Sequence, residues 1–264
     1  MVRGKKNRRV TEKGTSDMGK LIETLQRAGR SAGGAIGFVG KAANGPKPKA
    51  AAIIVTAATV GAVEELVKAG ADAVVLPADT DLTMKTAEVA WGLDARGAKS
   101  LSVDDLKKLH ERGADFVLVG ATTPIRALTE DVEHLDRALV VAPPENDPML
   151  LGFRALNVVD VEVGVLDLQL KAKDLAALTV QSFAQTRLLS EYLRFPVVIT
   201  LAEMPAAEDV RTLARLGAQA IWLTNATATD VTKLREELER IPREKDAPAT
   251  QGMGMTNGGS PLGR

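Results

Sequence analysis

Seven side chains stand at or within the apolar runs of this chain and have the types that bind a small polar ligand or move a proton. Asp94, Arg96 and Glu162 are the candidate catalytic groups; Thr56, Thr200, Thr224 and Asn225 are the candidate ligand-binding groups. Asp94 and Arg96 are two residues apart, the spacing that puts side chains on one face of an extended segment. Glu162 comes from an alternation in which Val159, Val161, Val163 and Val165 share one face while Asp160, Glu162 and Gly164 share the other. If the valines meet covering helices, the two acids point inward, and a buried carboxylate costs several kcal/mol unless it is paired. Two readings stay open: an internal salt bridge or a surface-edge position on one side, an acid, base or metal ligand on the other. Asp94 with Glu162 forms a carboxylate pair of the kind whose members separate into a proton holder and a proton donor.

Other chemistries lack their residues. The chain has no Cys, so thiolate nucleophiles, disulfides and Cys-held metals are excluded. No Lys falls inside an expected strand, which leaves a Schiff-base mechanism without a nucleophile. The two histidines, His110 and His134, fall in an outer helix and in the stretch before a strand, away from the expected site. No metal site and no cofactor are expected.

These groups need strands to hold them, and the strands announce themselves. Three times a helical pattern ends in Gly-Ala and passes directly into an apolar run: Gly70-Ala71-Asp72 before Ala73 to Leu76, Gly113-Ala114-Asp115 before Phe116 to Val119, and Gly217-Ala218-Gln219 before Ala220 to Leu223. Glycine suits the left-handed residue that closes a helix, and a strand covered on both faces reads as a continuous apolar run. The triplet therefore marks a repeating strand–helix unit.

From residue 51 onward the units can be counted. Strands are expected at 51–57, 73–77, 89–95, 116–120, 139–142, 158–165, 197–201 and 220–224. Helices are expected at 59–68, 81–88, 103–111 behind Ser102 as N-cap, from Pro124, at 148–156, 172–193, 206–216 and 230–240. Eight parallel strands with helical crossovers give an α/β fold that closes on itself, a (β/α)8 TIM barrel over residues 51–242. The rival, an open doubly wound sheet, would carry a Gly-rich loop after its first strand, where this chain has Thr56-Ala57-Ala58-Thr59. In a barrel the named side chains gather at the C-terminal strand ends, together with Asp79, Thr122, Thr123, Glu145, Asn146, Asp167 and Glu203.

Residues 16–50 hold an amphipathic helix, about 17–28, with Leu21, Leu25 and Ala28 on one side, then a linker. That apolar side is expected to plug the bottom of the barrel, the alternative being a contact between subunits. Residues 1–15 and 243–264 are expected to be disordered tails, the first basic enough to attract RNA or an acidic partner weakly. Otherwise 34 basic residues balance 34 acidic ones, so no overall field favours nucleic acid. No apolar run approaches the ~20 residues of a membrane span, and a cytoplasmic protein is expected. The apolar side chains of helix 172–193 spread over more than one stripe, which makes it the candidate surface for a homo-oligomer.

The helix-Gly-Ala-Asp-strand phrase resembles that of the ribulose-phosphate-binding and aldolase-type barrels. The leading helix, the Ile36-Gly37-Phe38 element and the barrel after it together resemble a group of uncharacterised barrel proteins from the Chloroflexota, which carries no known activity. The first resemblance implies a lyase or isomerase acting on a small, phosphorylated metabolite. The family's phosphate cradle, Gly-rich turns after strands seven and eight, does not carry over, since the matching segments are Ala202-Glu203-Met204-Pro205 and Thr224-Asn225-Ala226-Thr227. Asn225 and Thr227 read first as caps of the last helix. A non-catalytic ligand-binding or assembly barrel is therefore the alternative.

Overall fold

A computed structural model describes residues 19–29, 49–80, 89–98, 100–129, 132, 134–141, 165–170, 175, 178–192 and 196–241. The order is α1 (Lys20–Gly29), β1 (Ala52–Thr56), α2 (Val60–Lys68), β2 (Ala73–Pro77), β3 (Ala90–Asp94), α3 (Val103–Glu111), β4 (Phe116–Gly120), α4 (Ile125–Thr129), β5 (Asp136–Val141), β6 (Val165–Leu170), α5 (Val180–Tyr192), β7 (Val197–Leu201), α6 (Ala207–Arg215), β8 (Ala220–Leu223) and α7 (Ala228–Arg240). Every strand pairs in parallel with the next, and β8 returns to β1 through Ala52↔Ala220 to Val55↔Leu223. The fold is α/β, a curled parallel sheet with helices outside it. The helices expected at 81–88 and 148–156 lie outside the described residues, as do both tails.

The three triplets have a common physical cause. Gly70, Gly113 and Gly217 all sit at positive φ (110°, 94° and 85°), closing α2, α3 and α6 in the left-handed region. The third residue then ties down the neighbouring strand. Asp72 donates its N–H to Ile53 O (2.8 Å) and accepts the Ile53 N–H on Oδ2 (2.9 Å). Asp115 repeats this with Trp91 (2.9 and 3.0 Å), and Gln219 with Val197 (2.8 and 2.6 Å). Ser102 and Thr227 start α3 and α7 with reciprocal capping boxes to Asp105 and Asp230.

Alternation divides the core into two shells. One strand face packs against the helices, with Ile53, Val55, Val74, Leu76, Trp91, Leu93, Val117 and Val119. The other fills the barrel interior, with Ala52, Ile54, Ala73, Val75, Ala90, Phe116, Leu118, Ala138, Val198, Ala220 and Trp222. Leu21, Leu25 and Ala28 of α1 belong to the inner shell. The helix therefore plugs the N-terminal end of the barrel. Its first turn is held by Asp136 at the start of β5, whose Oδ2 accepts the Ile22 N–H at 3.0 Å.

Two strands differ from expectation. β5 begins at Asp136 rather than Leu139, because Asp136 and Arg137, polar in sequence, are both buried in the strand. β6 is described over Val165–Leu170, with Ala138↔Val165 and Leu166↔Val197 fixing its register, while of the expected strand 158–165 only Val165 is among the described residues. The alternation through Val159–Val165 slips by one residue at Val165-Leu166 and continues as Leu166, Leu168, Leu170. Periodicity alone could not choose between the two phases. Asp160 and Glu162 lie outside the described residues.

Some of the side chains expected on the oligomer surface are described. Leu175 is buried, and Leu178, Phe183 and Leu188 pack against the outer shell, while Val180 is 87% exposed. Leu189, Tyr192 and Leu193 are not among the described side chains. No helix among the described residues is long and apolar enough to cross a membrane.

Candidate functional site

The C-terminal ends of β1, β3 and β8 bring four side chains together. Asp94 is the last residue of β3, in the same phase as the interior Ala90 and Gly92. Arg96 follows in the turn and folds back onto it. Asp94 Oδ1 accepts the Arg96 backbone N–H (3.1 Å) and its Nε (2.8 Å), and Oδ2 accepts Nη2 (2.6 Å). Burial by itself would raise the Asp94 pKa, but the Arg96 hydrogen bonds and charge outweigh it and hold the carboxyl below its usual range. Asp94 is therefore ionised at neutral pH. The pair remains open to solvent, its side chains being 28% and 27% exposed.

Beneath the pair lies Trp222 of β8. The Arg96 guanidinium stands 5.1 Å from the centre of its ring, a cation–π contact. Its indole Nε1 donates to the Thr56 hydroxyl at 3.0 Å. Thr56 ends β1, and Ile54 of that strand stands in register with Trp222. Trp222 is almost fully buried and forms an apolar floor for a polar mouth.

Of the seven candidates, the structure unites Asp94, Arg96 and Thr56. Thr200 is buried on β7, in register with Trp222 on the row next to it. Thr224, just beyond β8, gives its N–H to Leu201 O (3.0 Å) and directs its hydroxyl to the same oxygen (3.4 Å). Asn225 is exposed in the turn that follows. Asp167 stands in β6 in register with Val140 and Val198. Trp222 was missed by the sequence reading. Its signal was present: it falls in phase with Ala220 within Ala220-Ile221-Trp222-Leu223, a large aromatic on the interior face to which β1, β2 and β3 contribute the small residues Ala52, Ala73 and Ala90.

The loop after β8, where barrels of this architecture often hold phosphate, is arranged differently. Thr227 Oγ1 accepts the Asp230 N–H (3.3 Å), and Asp230 Oδ2 accepts the Thr227 N–H (3.0 Å) and hydroxyl (2.7 Å). Those bonds lower the Asp230 pKa. A negative carboxylate thus occupies the helix end that would otherwise attract an anion. Among the described residues no group of three or more His, Asp or Glu side chains could hold a metal ion.

No family model matches the chain, and neither does any functionally curated protein. Solved structures do match it. 3-Hexulose-6-phosphate synthase from Salmonella typhimurium superposes with a TM-score of 0.52 at 15% identity, over 71% of this chain and 98% of that one. 3-Keto-L-gulonate-6-phosphate decarboxylase from Vibrio cholerae gives 0.54 at 12% identity, over 73% and 99%. N-(5'-phosphoribosyl)anthranilate isomerase from Pyrococcus furiosus gives 0.52 at 12% identity, over 72% and 100%. At such identities the likeness establishes the fold, that of the TIM-barrel enzymes, and nothing about activity.

Proposed function

We propose that this barrel is a lyase or isomerase that acts on a small, phosphorylated metabolite at its C-terminal mouth. The observation that carries the reading is the solvent-open Asp94–Arg96 pair seated on Trp222. Arg96 supplies the positive charge for an anionic substrate, with Asp94 fixing the guanidinium and, being ionised, serving as base rather than acid. Glu162 is the proposed second carboxylate, and Thr56, Thr200, Thr224 and Asn225 are proposed to bind the remainder of the ligand. The three neighbours, whose names are those of enzymes of phosphorylated sugars and ribosides, support the reaction class by analogy of fold. The substrate's phosphate is assigned to Arg96 because Asp230 fills the helix end after β8.

A second reading, a ligand-binding barrel without catalysis, is favoured by one observation: both oxygens of Asp94 are already held by Arg96. The test for both is a titration with 3-keto-L-gulonate 6-phosphate and N-(5'-phosphoribosyl)anthranilate, following tryptophan emission and product formation together. Binding that is lost in Arg96→Gln, with turnover lost in Asp94→Asn, is the expected result. Saturable binding without turnover would select the second reading. Neither binding nor turnover with any phosphorylated sugar would remove the first.

A further inference from the structure

The opposite end of the barrel contains a carboxylate that the mouth does not use. Asp136 begins β5 and is 6% exposed. Its Oδ2 accepts the Ile22 N–H at 3.0 Å, and the Leu21 N–H also bonds to it. These are second- and third-residue amides of α1, so Asp136 caps a helix remote in sequence as an N-cap residue would cap its own. The approach is close: a Cβ on Gly19 would overlap the Asp136 carboxyl.

The charges around this carboxylate do not neutralise it. From α1, Lys20 faces the site but is engaged with Asp115 Oδ2 (3.4 Å) and the Val89 carbonyl (2.9 Å). From the head of β4, Asp115 adds a like charge. Arg137, next along β5, is the nearby cation that favours ionisation, but its residue lies in the opposite strand phase. Among the described residues Asp136 has no ion pair. A buried carboxylate with amide donors alone, next to a second carboxylate, is a poor place for a charge.

We propose that Asp136 makes the seat of α1 a proton-sensitive latch, in which taking up a proton at this carboxyl strengthens docking of the helix into the barrel. Burial, the largest influence, raises the Asp136 pKa from 3.8 to about 6, against the opposing amide bonds. With α1 released the group meets water and returns towards its ordinary value. An acid whose pKa is higher in the docked state favours docking increasingly as pH falls from about 7 towards 5. The shift corresponds to a change in the docking equilibrium of up to about a hundredfold. Leu21, one residue from the amide contact with Ile22, lines a small apolar cavity with Trp222, so the latch lies directly below the floor of the mouth.

Amide hydrogen exchange of the full chain between pH 5 and 7.5, corrected for intrinsic rates, tests the latch. Protection of the α1 amides should begin to rise as pH falls through about 6 and gain about tenfold by pH 5, relative to the strand amides of Val74 and Val117. Asp136→Asn, neutral at every pH, should flatten that dependence. Equal changes in helix and strand amides would link the proton to global folding and overturn the proposal, as would a pH-independent α1. Should the variant fail to fold, the Asp136 carboxyl resonance in the unaltered chain decides: a midpoint near 6 supports the latch, and one below about 4.5 removes it.

Discussion

The indole N–H of Trp222 and the hydroxyl of Thr56 meet at 3.0 Å across the β8–β1 seam. Trp222 thereby joins two jobs. It fills the upper interior of the barrel, and it carries Arg96 on its ring. Replacing Thr56 by Val leaves a buried donor without its acceptor, which costs about 1–3 kcal/mol. Thr56→Ser keeps the oxygen and should stay within about 1 kcal/mol of the parent. Urea unfolding distinguishes the two, and equal losses would show that the methyl group, not the hydrogen bond, matters.

Gly92 is needed for space. It lies in the interior phase of β3, opposite Phe116 in register, and a Cβ there would overlap the Phe116 ring. Gly92→Ala should cost roughly 1–3 kcal/mol through overpacking. In a Phe116→Leu background the added penalty should shrink, because the smaller side chain can yield. Additive losses in the double variant would show that the ring is not what the methyl strikes.

The triplet residues differ in what they hold, and their costs should rank accordingly. The Gln219 side chain bonds the head of β7, so Gln219→Ala strands the Val197 N–H for about 1–3 kcal/mol. Asp72 also receives Arg235 (2.5 Å) and Lys49, and both it and Arg235 are largely buried. Asp72→Ala leaves that arginine without its partner, for roughly 3–5 kcal/mol. Thermal or urea unfolding that ranks Gln219 above Asp72 would contradict this reading.

Those triplets explain why much of the fold was legible. Helix closure, strand entry and the tie to the neighbouring strand are written in three consecutive residues, so β2, β4 and β8 could be placed closely. β5 and β6 carry no such phrase before them. Polar Asp136 and Arg137 disguised one strand, and a change of phase at Val165-Leu166 hid residues 166–170 of the other. The site was legible in the same measure. Asp94 and Arg96 are two residues apart, and that spacing brought them together in the sequence although Arg96 reaches Asp94 from the turn after β3; the β8–β1 contact that brings Trp222 to Thr56 joins residues far apart in sequence and leaves no local pattern. Glu162 lies outside the described residues.

The Asp94–Arg96 pair makes a prediction about acid. Burial works against the charged carboxyl, yet Arg96 prevails, so the folded-state pKa lies below the ordinary 3.8. A depressed carboxyl contributes stability above its unfolded pKa and loses it as pH falls through the folded value. The contribution should therefore be complete at pH 6 and fade below about 4. With both side chains more than a quarter exposed, solvent screening holds it to about 1 kcal/mol. The stability difference between the parent and Asp94→Asn, measured by urea unfolding, should narrow between pH 6 and 3 and shrink at 1 M salt. A difference that stays constant with pH would mean that Asp94 acts through shape and not through charge.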